Sequence, residues 1–333
     1  MGDTISELMT AGAMTERPSQ VPVRTRLRQV KKHIPAPLKR VMRGSTRAYG
    51  VATSRSRISP DFLIIGTKRG GTTSLWNALL EHPDVMPMFP KLREMKSPHY
   101  FDIEYGRGPA WYRSHFPPKR KRIAREAATG RRAVTGEASP YYMFHPLAAE
   151  RIQNDLPEVK LIVSLRDPVE RIVSHYTERF GSGTEDLSFE DALAAEEGRL
   201  AGETDRIIDE APDYYSENHD SHSYLARGRY LEHLQPYVDR FGPDQLLILR
   251  AEDYYTDELG ELQRVAGFIG IAPFPQRAGK PDHYHKLARE ELKPETREWL
   301  INYYRPHVNQ LEAALGRSFD WENFRDQRDG QPD

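Results

Sequence analysis

The stretch that decides the fold is FLIIGTKRGGTTSL, Phe62–Leu75. Phe62–Ile65 is an unbroken apolar run, the pattern of a strand buried on both faces. Glycines follow, and then Thr72, Thr73 and Ser74 open a helical pattern carrying Leu75, Trp76, Leu79 and Leu80. Strand, glycine-rich turn and helix N-terminus together make a phosphate cradle. Gly66 and Gly71 meet the G-x-x-x-x-G frame of a triphosphate loop, but Thr72 stands where that loop carries lysine. The positive charges come earlier, at Lys68 and Arg69. The ligand is an anion, held by a loop not laid out for a magnesium triphosphate.

Working outward, AVTGEAS (Ala133–Ser139), VKLIVSLRDP (Val159–Pro168) and QLLILR (Gln245–Arg250) read as further strands. Helical patterns fill the gaps, around 146–155, 168–180, 188–200, 222–240, 258–268 and 294–315. Strands separated by helices predict an α/β fold with a P-loop-like central parallel sheet flanked by helices. Gly202–Tyr224 is polar and aromatic and reads as a long loop or lid. The folded domain is expected over 59–325, preceded by a basic appendage at 1–58 and followed by a polar tail at 326–333.

The 333 residues carry 48 basic and 49 acidic side chains, so the whole chain is no nucleic-acid binder by charge. The balance is uneven: residues 21–58 hold eleven Lys or Arg and no Asp or Glu. That segment suits peripheral contact with an anionic membrane surface; a solvated tail is the preferred reading. Cysteine is absent, which removes disulfides and thiolate chemistry and fits a cytoplasmic setting. No apolar run reaches membrane-spanning length, and the first twenty residues lack a secretory signal. MGDTIS matches a lipidation pattern, which Asp3 argues is fortuitous. The scattered histidines (His82, His145, His219, His222, His283, His285) show no ligand spacing, so no metal is expected.

A second informative stretch is RDPVERIVSHY, Arg166–Tyr176. Asp167 can cap a helix, Pro168 suits its first turn, and Glu170 completes a capping-box spacing. Val169, Ile172, Val173 and Tyr176 form a core-facing stripe. Arg166 is left at the carboxyl end of a strand, where ligands of open α/β sheets bind, with Ser174 two turns along and off the stripe.

In combination, GTKRGGTTSL and RDPVERIVS resemble the two phosphate motifs of sulfotransferases that use 3′-phosphoadenosine 5′-phosphosulfate. The nearer branch is the heparan-sulfate-type and related bacterial enzymes. The resemblance runs through GEASPYY (Gly136–Tyr142), LRAEDYYTD (Leu249–Asp257) and GRSFDW (Gly316–Trp321), over roughly residues 60–322. It implies transfer of a sulfuryl group to a hydroxyl or amine of an acceptor, a carbohydrate or glycolipid by family, with no metal. Gly70, Gly71, Thr72, Thr73 and Ser74 would hold the 5′-phosphate, and Arg166 with Ser174 the 3′-phosphate. Lys68 and Arg69 would offset charge on the leaving oxygen; Arg69 stands at the family's lysine position. A later basic loop falls on Lys286 and Arg289. From the residues themselves, Arg227 and Tyr230 read as lining the acceptor and adenine side of the cleft, or Tyr224 and Tyr230 as core packing, with both readings open.

The chain departs from the family at LREMKSPHYFD, Leu92–Asp102. Lys96 and His99-Tyr100-Phe101 match, but Ser97 replaces the glutamate that serves as base. His99 has a suitable ordinary pKa and is the first candidate; Glu94 follows, then Glu137. Ala138 stands where the family carries a further lysine. Two other readings stay open: a P-loop kinase-like phosphotransferase, and a non-catalytic protein that binds adenosine bisphosphate. Oligomeric state is not legible.

Overall fold

The computed structural model describes residues 36–90, 95–275 and 292–325, with backbone alone for 36–43. Glu94, Lys286, Arg289, the basic stretch before residue 36 and the tail at 326–333 lie outside the described residues. The chain divides into two units, Met1–Thr46 and Arg47–Asp333. Helix α1 (Ala36–Ala52) begins in the first.

In the second unit, the described residues form a parallel sheet with strand order β2-β3-β1-β4-β5. The strands are β1 (Phe62–Gly66), β2 (Val85–Met86), β3 (Val134–Ala138), β4 (Lys160–Leu165) and β5 (Leu246–Arg250). Helices flank it: α2 (Thr72–Glu81), α3 (Gly108–Arg113), α4 (Lys119–Thr129), α5 (Ala148–Asp155), α6 (Pro168–Gly181), α7 (Phe189–Leu200), α8 (Glu203–Asp209), α9 (Glu217–Ser221), α10 (Tyr230–Arg240), α11 (Ala251–Thr256), α12 (Glu258–Ile269) and α13 (Pro294–Leu315). The expected parallel α/β architecture is therefore the observed one.

Every residue of β1 and β3 is buried, as is β4 after Lys160. That is why FLII and LIVSL read as unbroken apolar runs. Each such Leu or Ile contributes about 1.5–3 kcal/mol by leaving water. Phe62 pairs with Gly136 on one side and Lys160 on the other. From β1 the chain fills one half of the sheet before β4 opens the other. The loops after β1 and β4 therefore leave the sheet side by side at a topological switch point, where such folds bind ligands.

Two expectations are corrected. Gly202–Tyr224 is not one long loop: it holds α8, entered through Gly202 at φ 72°, and α9, capped by Ser216 Oγ accepting from the His219 amide. The helix expected over 222–240 breaks into a 3-10 turn at Ala226–Gly228 and α10 from Tyr230. Among the described residues no helix is long and apolar enough to cross a membrane.

Candidate active site

The loop after β1 is tied to β4 by two hydrogen bonds and closed on itself by a third. The Thr67 amide donates to the Ser164 carbonyl (2.9 Å), the Gly70 amide to the Thr67 carbonyl (2.9 Å), and Ser164 Oγ to the Gly70 carbonyl (2.6 Å). A Cβ at Gly70 would sit 2.5 Å from the Ser164 carbonyl oxygen, so the loop closes this tightly only with glycine there. Gly71 lies at φ 80° and enters α2 without a side-chain cap. The amides of the first turn of α2 are thus left for an anion.

Lys96 completes this end of the site. Its ammonium donates to Thr72 Oγ1 at 2.8 Å and Thr73 Oγ1 at 3.0 Å. A cation from a distant segment thereby reaches the hydroxyls that, in a triphosphate loop, neighbour the loop's own lysine. Burial, and then the nearby Arg69, push the Lys96 ammonium down to about 8. The negative charge of an arriving phosphate would oppose both effects and favour the charged ammonium.

The other end is built by α6. Asp167 caps it, accepting from the Val169 amide (2.9 Å) and the Glu170 amide (3.3 Å), and also binds Asn323 Nδ2 (2.9 Å). The Glu170 carboxylate pairs with Arg297 at 3.0 Å. Val169, Ile172, Val173 and Tyr176 are all buried, which turns Ser174 toward the loop. Arg69 Nε donates to Ser174 Oγ (2.9 Å), and Arg166 Nη1 to the Arg69 carbonyl (3.3 Å). Arg69, Arg166 and Ser174 are therefore brought together, and the Arg69 guanidinium sits with the strand-end pair. Tyr230 is buried rather than lining a cleft: its hydroxyl donates to the Arg166 carbonyl at 2.6 Å. It supports that strand end from beneath.

Lys68 takes another direction. Its ammonium lies 3.2 Å from the Asp220 carbonyl and 3.8 Å from Asp220 Oδ1. Burial and then Arg227 push it down to about 7, against the opposing pull of Asp220.

His99 is half exposed and sits at φ 55°. Its Nδ1 faces Asp102 Oδ2 at 3.0 Å, and the same carboxylate accepts from Ser139 Oγ (2.9 Å) and the Ile103 amide (2.7 Å). Burial alone would lower the His99 pKa, but the hydrogen bond and charge of Asp102, with Glu137 and Asp220 behind, raise it above the ordinary histidine value. A carboxylate orienting one ring nitrogen leaves the other to exchange protons, the layout of a general base.

Ser97 is not isolated. Its hydroxyl donates to Glu137 Oε2 at 2.5 Å. Tyr112 OH adds a bond to Oε1 at 2.6 Å, and Tyr142 OH lies 3.2 Å from the same oxygen. Glu137 has no exposed surface, and burial raises its carboxyl to about 7 despite these donors. The sequence reading noted Lys96 only as a match to the family's motif, without placing it at the loop, and gave Asp102 and Asp220 no role. Of these two, Asp102 left a local trace, as the carboxylate three residues after His99.

A glycine-closed loop, a helix N-terminus without a side-chain cap and an arginine at the neighbouring strand end make a candidate anion-binding site in an α/β protein. The family model "Sulfotransferase domain" matches residues 59–310, and the chain belongs to the sulfotransferase family. It is 31% identical over 289 residues to mouse heparan sulfate glucosamine 3-O-sulfotransferase 3B1, covering 80% of this chain and 66% of that protein. The mouse 3A1 protein is also 31% identical, with 80% and 65% covered. The chain thus spans just under two thirds of the length of these curated relatives. Among solved structures, a sulfotransferase from Alicyclobacillus acidocaldarius matches with a TM-score of 0.58 at 27% identity, over 81% of this chain and all of that one.

Proposed function

We propose that the chain moves a sulfuryl group from 3′-phosphoadenosine 5′-phosphosulfate to a hydroxyl or amine of an acceptor. The observation that carries this reading is the pair of anion pockets sharing one loop. Thr72, Thr73 and Lys96 meet at the helix N-terminus, and Arg69, Arg166 and Ser174 at the adjoining strand end. A nucleotide with phosphates at both its 5′ and 3′ positions suits two such pockets. The close packing of Gly70 against the Ser164 carbonyl and Thr67 holds the loop in the closed shape that presents the first turn of α2 to an anion.

When bound, the donor supplies an SO₃ group whose departure leaves charge on a phosphate oxygen. Lys96, Thr72, Thr73, Ser74 and the amides from Gly71 onward hold the 5′-phosphate; the Gly70 amide is taken up by the Thr67 carbonyl and serves only to close the loop. Arg166 and Ser174, joined by Arg69, grip the 3′-phosphate, where a guanidinium fork engages two oxygens. Lys68 supplies positive charge near the bond that breaks. His99, oriented by Asp102, takes the proton of the attacking hydroxyl or amine. Lys286 and Arg289, outside the described residues, would add charge to the 3′ side. The relatives' names support a carbohydrate acceptor.

The test is transfer of radiolabelled sulfate from the donor to a panel of glycans, lipids and small alcohols, with ATP and magnesium as the control donor. Label in a glycan supports the reading; phosphate transfer from ATP, or no transfer to any acceptor, overturns it.

A further inference from the structure

Three groups converge on one carboxylate beside the cradle. Asp220 Oδ1 accepts from Arg227 Nη2 at 3.0 Å, and Oδ2 from Tyr215 OH at 3.0 Å. The Lys68 ammonium lies 3.8 Å from Oδ1 and donates to the Asp220 carbonyl at 3.2 Å. Arg227 is itself fixed. It is buried, bonded to Ser223 Oγ (2.7 Å) and to the carbonyls of His219 (3.2 Å) and Asp220 (2.8 Å), and it stacks over Phe144 (4.4 Å). Its Nη1 is buried without a partner among the described residues.

The charges around Lys68 fall into two pairs. Facing it are Arg227 from the 3-10 turn, Arg179 and Glu178 from α6, and Asp220 from α9; the buried His175 ring lies near it on α6. Arg179 and Glu178 are paired with each other at 3.7 Å. Asp220 is then the one carboxylate that balances both Lys68 and Arg227.

We infer that Asp220 is a positioning residue for the cradle. Fixed by Arg227 and Tyr215, its carboxylate and carbonyl hold the Lys68 ammonium at one place beside the cradle and favour its charged form. The segment between β4 and β5 therefore contributes to the anion site of the loop after β1. This inference rests on the proposed role of Lys68 for its consequence in catalysis, but not for its direct readout. Without Asp220 the Arg179–Glu178 pair remains, the repulsion of Arg227 is left without a facing carboxylate, and burial continues to oppose the charge. An opposite charge at this range changes a pKa by roughly 1–3 units.

The experiment is competitive acetylation of Lys68 across pH, read by peptide mass spectrometry, on the full chain. Asp220→Asn is expected to lower the pH of half-reactivity by at least about one unit, a tenfold change in charged fraction. Asp220→Glu restores the midpoint. Because Asp220→Asn also strips Arg227 of its carboxylate and can fail to fold, Tyr215→Phe is the second variant. It frees the carboxylate without removing charge, and is expected to raise Lys68 reactivity at fixed pH with a smaller midpoint change. An unmoved midpoint in Asp220→Asn, or in Tyr215→Phe where only that variant folds, overturns the inference. A shifted midpoint in a protein that transfers no sulfuryl group supports it while contradicting the proposed function.

Discussion

The Lys96 ammonium lies 2.8 Å from Thr72 Oγ1 and 3.0 Å from Thr73 Oγ1, across a gap of more than twenty residues in the chain. This contact supplies the cation that the loop's own sequence lacks after its second glycine. It makes Lys96 a phosphate contact of the proposed donor site. Lys96→Met should weaken binding of adenosine 3′,5′-bisphosphate by about 10–100-fold, the worth of a charge-assisted hydrogen bond. Isothermal calorimetry reads this directly. The wild-type affinity should also decline as pH rises through about 8, where the free ammonium loses its proton.

A narrow pH window is expected for the reaction. His99 acts when neutral, so the rate climbs as pH rises through its raised pKa. Lys68 acts when charged, so the rate declines as pH passes about 7. A bell-shaped profile of kcat/KM with its maximum near neutrality is the outcome, since that ratio reports groups of the free enzyme. His99→Asn should remove the ascending limb and lower kcat by about 10²–10⁴, while bisphosphate affinity stays within a few-fold.

Gly70 faces the Ser164 carbonyl so closely that an added Cβ would lie 2.5 Å from it and 2.8 Å from Thr67 Cγ2. One of these neighbours is backbone and cannot swing aside. Gly70→Ala should cost about 1–3 kcal/mol of stability by overpacking and open the loop. Denaturant unfolding and bisphosphate binding measure the two effects together.

Glu137 gives a stability prediction. Its carboxyl rises on folding from the ordinary 4.5 to about 7, because burial disfavours the charge. Between those values the folded chain binds more protons than the unfolded one, so stability falls as pH rises. The loss amounts to roughly 3 kcal/mol across that interval, an order-of-magnitude figure. Glu137→Gln should flatten the pH dependence of urea midpoints between pH 5 and 7.

What was legible in the sequence follows the range of the interactions. The β1 strand, the loop glycines and the Asp167 cap are local features, and each left a local pattern. Arg166 could be placed because it directly follows the apolar run of β4, and Ser174 because the buried stripe on α6 leaves it off the core face. Arg69 could not: whether it faces the transferred group or Ser174 depends on how α6 packs beside the loop. Lys96, Asp220 and the Ser97–Glu137 pair are joined to the site only by tertiary contacts, for which no spacing rule exists. Helix α4 was missed because it buries none of its residues and leaves Ile123 largely exposed, so it carries no apolar stripe. Helices α8 and α9 were read as loop although Gly202 and Ser216, both start signals, stood in plain view.

The central claim is that two anion pockets share the crevice beyond β1 and β4. Calorimetry of adenosine 3′,5′-bisphosphate against AMP, on the wild type and on Arg166→Ala, tests it most directly. The account predicts that the wild type prefers the bisphosphate by about 100-fold, the scale of charged hydrogen bonds to one phosphate, and that Arg166→Ala reduces the preference to a few-fold. Equal affinity for the two nucleotides, or a preference that survives the loss of Arg166, would contradict it.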